Sequence, residues 1–97
     1  MIRPNRDHRY ELIKPMIETG RITFFNDIFK YIPKTVVAKD LGKKVDRFNG
    51  LMSRVEQFML HDLFIIAGFF DIDEDVMMRL VMNDYKRAKE KGLHLEG

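Results

Sequence analysis

The sequence predicts an all-α fold, a compact bundle of five to six helices that contains a helix-turn-helix and an extra N-terminal helix. Three observations carry this. Apolar residues recur at spacings of three and four along most of the 97 residues. Breaks at Thr19-Gly20, Pro33 and Gly42 cut the chain into short helical stretches. The last stretch opens with Glu74 and Asp75 and closes with Lys86, Arg87, Lys89 and Lys91, the polarity that suits a helix dipole.

The first helix is expected over Asp7 to Glu18, with Tyr10, Ile13, Met16 and Ile17 on one face. Pro15 removes a backbone donor and keeps it short or kinked. The second is expected from Ile22 to Ile32, with Ile22, Phe25, Ile28, Phe29 and Ile32 inward. The third runs from Thr35 to Leu41, burying Val37, Ala38 and Leu41, and Gly42 is its left-handed stop. The fourth runs from about Lys44 to Met52, with Val45, Phe48, Leu51 and Met52 apolar. Ser53 to Phe58 reads as a loop. Leu60 to Phe70 is almost entirely apolar, which predicts a helix buried on all sides at the centre. Asp71-Ile72-Asp73 is a turn, with Asp73 as N-cap of a last helix from Glu74 to about Lys91, ended by Gly92. Residues 1–20 are thus an arm and short helix, 21–82 the helix-turn-helix domain, and 83–97 a helical extension and tail.

Composition excludes several function classes. At 11.6 kDa, 45% hydrophobic and 33% charged, the chain has the make-up of one globular domain. Without cysteine it has no disulfide, thiolate zinc site or cysteine nucleophile. No apolar run approaches the ~20 residues that span a bilayer. Met1-Ile2-Arg3-Pro4-Asn5-Arg6 has no apolar segment behind it, so a cytoplasmic protein is expected. His8, His61 and His94 lack metal-ligand spacing. Asp71 to Asp75 fails as a calcium loop, because Val76 stands where glycine is needed and Met82 where glutamate is needed. Ser53, the only serine, has no histidine or glycine elbow framing it, and no glycine-rich loop cradles phosphate. No enzyme, cofactor or small-molecule substrate is expected.

Net charge is +2, unevenly spread. Residues 1–50 hold 11 Lys/Arg against 6 Asp/Glu, and residues 51–97 hold 6 against 9. A basic first half suits an anionic partner, although a solvated surface would carry the same charges. Within it, a short helix, a turn at Gly42 and a second short helix form a helix-turn-helix layout. Ala38 permits close approach of the two helices, and Gly42 permits positive φ in the turn.

With Val37-Ala38-Lys39-Asp40-Leu41-Gly42, Phe48, Leu51, Leu60 to Ala67 and Ile72 to Val76, the chain resembles the lambda-repressor-like (Cro/XRE-type) helix-turn-helix family over about residues 22–81. The resemblance implies five short helices, the third being a recognition helix for the DNA major groove. It puts Lys34 where the family usually has glutamine, and Lys44, Val45, Asp46, Asn49 and Gly50 at base-facing positions, with Arg47 beside them. Lys43 departs from the family's small apolar residue after the turn glycine, and Met59 from its Ser/Thr cap.

The side chains offer matching chemistry. Lys44 and Arg47 can donate to guanine, Asn49 can pair with adenine, and Asp46 can accept from cytosine or pair with a lysine. Gly50 would allow close backbone approach. Lys34, Lys39, Lys43 and Arg54 suit phosphate contacts. Arg3, Arg6 and Arg9 form a basic arm that could track phosphates or stay solvated. Met77, Met78, Val81, Met82 and Tyr85 form an apolar face that serves as core or as a homodimer seam, with the N-terminal helix as a possible neighbour.

The expected function is sequence-specific binding of double-stranded DNA by a homodimeric transcriptional regulator. The alternative is a helical protein–protein interaction module, antitoxin-like or a regulatory partner, that keeps the fold without specific DNA contact. RNA binding is weaker, because no aromatic stacking surface is evident.

Overall fold

The computed structural model describes residues 7–91. They form α1 (Tyr10–Glu18), a 3-10 segment (Phe25–Lys30), α2 (Lys34–Leu41), α3 (Val45–Ser53), a 3-10 turn (Val55–Gln57), α4 (Leu60–Phe70) and α5 (Glu74–Glu90). No strand occurs among the described residues. Gly92, His94, Arg3 and Arg6 lie outside them.

Helix ends follow a common device. Gly20, Gly42 and Asp71 take positive φ of 81°, 85° and 59° after α1, α2 and α4. In each case two backbone bonds close the last turn. At α2 these are Lys43 N–H to Ala38 O at 2.9 Å and Gly42 N–H to Lys39 O at 3.0 Å. This is a Schellman cap, which satisfies carbonyls the helix would otherwise orphan. Helix starts are different: none of the five N-cap residues, Asp73 included, makes a capping side-chain bond. Packing of apolar faces, rather than local capping, therefore holds these short helices.

One core joins them all. Tyr10 and Ile13 of α1, Phe25 and Ile28 of the 3-10 segment, Val37, Ala38, Phe48, Ile66 and Met77 are among its buried members. Phe25, Phe29, Phe48 and Phe58 pack edge to face with centroids 5.6–5.7 Å apart. Tyr10 stacks on Phe69 at 5.4 Å and donates its hydroxyl to Asp40 Oδ2 at 2.6 Å, which ties α1 to α4 and α2. Helix α5 runs through residues 82 and 83 without a break. The arm's helix, the central segment and the C-terminal extension therefore share one body.

Three local expectations are corrected. The second helix is a 3-10 segment that starts at Phe25, not an α-helix from Ile22. An α-helix would pair Asn26 N–H with Ile22 O, but Asp84 Oδ2 captures that N–H at 2.6 Å. Asn83 Nδ2 likewise occupies Thr23 O at 2.8 Å. Asp27 N–H turns to Phe24 O instead, the three-residue closure of a 3-10 turn. Secondly, α4 is not buried all round: Leu60 is 55% exposed, and Phe64 and Ile65 are 37% exposed. Thirdly, the loop at 53–58 contains its own 3-10 turn and sends Val55 and Phe58 into the core.

Candidate nucleic-acid interface

The junction between α2 and α3, the expected helix-turn-helix, is built by the Gly42 cap. It stops α2 and leaves Lys43 and Lys44 to connect it to α3. Lys44, in extended conformation, sits at the N-cap of α3. Helix α3 buries Phe48, Leu51 and Met52 and leaves Asp46, Arg47, Asn49 and Gly50 exposed. Amphipathicity thus places four of the predicted site residues on the solvent side of one helix, with Lys44 at its start. Gly50 has helical backbone and open space where a Cβ would sit, so nothing in the free fold requires glycine there.

Five cations on or beside this unit, Lys34, Lys39, Lys44, Arg47 and Arg54, have no ion pair to a described carboxylate. Asp40 does not neutralise them through an ion pair; its Oδ2 takes the Tyr10 hydroxyl. Asp46 is the only carboxylate within α3, and it forms no ion pair with a described cation. Lys34 is half-buried at the first position of α2, and its expected role as a phosphate contact is compatible with that place.

Lys43 does not fit the expected role. Its Nζ lies 3.0 Å from Asp62 Oδ2, with both side chains mostly shielded (18% and 13% exposed). The geometry is an ion pair without hydrogen-bond alignment, since that oxygen has no hydrogen-bond partner. Lys43 therefore pins the turn to α4, and its charge is not available to a phosphate. Arg9, from the basic arm, is also committed. Asp7 accepts from its backbone N–H, Nε and Nη2 at 2.9, 3.0 and 2.7 Å.

No family model, curated protein or solved structure matches the chain. The site therefore rests on its own geometry.

The predicted dimer face is divided by burial. Met77 belongs to the core, at 0% exposure, and presents no surface to a partner, whereas Val81, at 5%, lines the floor of an apolar groove. Met78, Met82 and Tyr85 border this groove of about 190 Å³, completed by Phe58, Leu60 and Leu63. The N-terminal helix does not border it. Tyr10 packs at the Phe69-Phe70 end of α4, whereas the groove takes the Leu60 end.

A second feature was not expected. A cleft of about 660 Å³ lies between the end of α3 and the last turns of α5, and Arg54, Arg87 and Lys91 line it. Arg54 thus borders this cleft beyond the end of α3. One sequence signal was available. Met77, Leu80, Val81 and Asp84 fall on one helical face, so Asp84 is a carboxylate at a core position. Among the described residues no group of acidic or histidine side chains is placed to hold a metal ion, and no helix is long and apolar enough to cross a membrane.

Proposed function

We propose that this chain binds double-stranded DNA, with α3 as recognition helix, and acts as a dimeric regulator of transcription. The observation that supports it is the exposed face of α3: Arg47, Asn49 and Gly50 behind Lys44, with no described carboxylate ion-paired to its cations. Lys44 and Arg47 supply donors for guanine edges and Asn49 a donor–acceptor pair for adenine. Lys34 supplies charge at the start of α2, where free backbone N–H groups also favour an anion.

A second copy completes this reading. One recognition helix reads few base pairs, and a two-fold pair sets two of them about 34 Å apart, one turn of B-DNA. The groove bordered by Met78 and Tyr85 is also lined by the exposed apolar side chains of Leu60 and Met82, with Met59 next to Leu60. A second copy placed on this face by a two-fold axis would cover the same exposed apolar residues on both chains.

The test is fluorescence titration with a randomised duplex library at two salt concentrations, followed by selection. Saturable binding that weakens steeply with salt and enriches a sequence supports the reading. Absence of binding at low salt overturns it. The competing interaction module draws on the same exposed apolar residues, Met59, Leu60, Phe64, Ile65 and Met82. It predicts no enrichment of any DNA sequence.

A further inference from the structure

We infer that the cleft between α3 and α5 is a binding site for a small organic anion bearing a carboxylate or phosphate group. Its volume of about 660 Å³ falls in the range of small-molecule sites. Three cations line it, Arg54, Arg87 and Lys91, against a single carboxylate, Asp84.

That carboxylate is already spent on the fold. Asp84 is 4% exposed and accepts from Asn26 N at 2.6 Å and Asn26 Nδ2 at 2.8 Å, besides Arg87 Nη2. Its charge is thus answered inside the protein, and the cleft keeps a positive excess. Arg87 is held in place from two sides. Nη2 is bound to Asp84, and the guanidinium carbon stands 3.7 Å from the centre of the Phe24 ring. A guanidinium fixed in this way spends one of its several N–H donors on the fold and offers the others without further loss of rotamer freedom. Arg54 and Lys91 line the same cleft and pair with no described carboxylate, so both are available to the same anion. Met52, Val55 and Ala88 give the ligand's carbon skeleton an apolar wall.

The position gives the site a consequence. Arg54 directly follows Ser53, the last residue of α3. An anion that draws Arg54 toward Arg87 and Lys91 fastens the end of α3 to α5. Coupling to DNA rests on the function proposed above; anion binding does not.

The experiment uses the full chain, titrated with citrate and with inorganic pyrophosphate at constant ionic strength and followed by amide chemical shifts. Saturable shifts centred on Asn26, Arg54, Ala88 and Lys91 are expected. Arg54→Gln combined with Lys91→Gln weakens binding at least about tenfold, while Lys89→Gln, exposed on α5 outside the cleft, leaves it unchanged. Shifts that scale with charge and spread over all lysines, or equal loss with Lys89→Gln, overturn the site. Cleft shifts seen with duplex DNA and with neither small anion assign the cations to DNA backbone and overturn the small-ligand reading. Saturation by citrate or pyrophosphate in a protein that binds no DNA supports the cleft and sinks the DNA reading alone.

Discussion

Asp84 and Asn26 meet across 58 residues of sequence, the carboxylate accepting from both the backbone and the side-chain nitrogen of the asparagine. This contact decides the local structure at Phe25–Lys30, because it diverts the N–H that an α-helical ladder would use. It also sets the floor of the cationic cleft.

Asp84→Ala removes the shared acceptor of two Asn26 donors and the ion-pair partner of Arg87, although Asn26 Nδ2 keeps a long bond to Met52 O at 3.5 Å and Arg87 stays one-third exposed in the cleft. Loss of the acceptor from a partly solvated network of this kind costs about 1–3 kcal/mol. Urea denaturation followed by circular dichroism measures it. A loss below about 1 kcal/mol would show that water replaces the carboxylate.

Arg47→Ala is expected to weaken binding to a selected DNA site by about 1–3 kcal/mol and relax one base position. Lys34→Ala weakens binding to all sequences and lowers the salt slope by about one unit. Lys43→Ala is the contrast. It leaves Asp62 unpaired and costs stability of about 1–3 kcal/mol, with no change in the salt slope. Melting curves and salt titrations of the three variants separate these roles.

Gly50→Ala distinguishes a site from an ordinary helix surface. The open space at this position predicts a gain in stability of about 0.5–1 kcal/mol from helix propensity. If α3 lies close against DNA at Gly50, the same variant binds its site more weakly. A variant that is both more stable and equally tight places Gly50 away from the DNA.

Leu60→Glu with Met82→Glu changes exposed groove residues and is expected to abolish self-association in sedimentation velocity while leaving the fold intact. Met77→Ala alters the core instead and costs about 2–5 kcal/mol without acting at the dimer face. A wild-type chain that stays monomeric at tens of micromolar, roughly the range of a weak dimer, removes the groove as a homodimer seam.

Asp7 titrates unusually low. The Arg9 guanidinium, then the Arg9 backbone N–H, hold its carboxyl down from 3.8 to about 2. A folded value below the unfolded one stabilises the protein above about pH 3.8, and the contribution disappears as pH falls through about 2. Carboxyl-carbon NMR titration is expected to give a midpoint near 2, and Arg9→Gln to return it toward 3.8.

The stretch from α2 through Gly42 to α3 was legible because each signal in it is local. Val37, Ala38 and Leu41 repeat at helical spacing, Gly42 permits the left-handed cap, and Phe48, Leu51 and Met52 repeat again. The exposed set on α3 follows from the same periodicity. The sequence alone therefore determined the all-α class, the span of α4 and the ends of α2 and α5 to within a residue.

Tertiary structure decided what depends on partners far away in the chain. Periodicity marks Met77, Val81 and Met82 as one apolar face, but only packing against α4 and the 3-10 segment buries the first two and exposes the third. Composition marks Lys43 and Arg54 as cations, but only the approach of Asp62 commits one of them. The Leu60–Phe70 run is apolar enough to predict full burial, yet a bundle of this size cannot cover every side of α4. An apolar residue's spacing determines which side of a helix it takes, and the distant elements that pack there determine whether that side faces core or water.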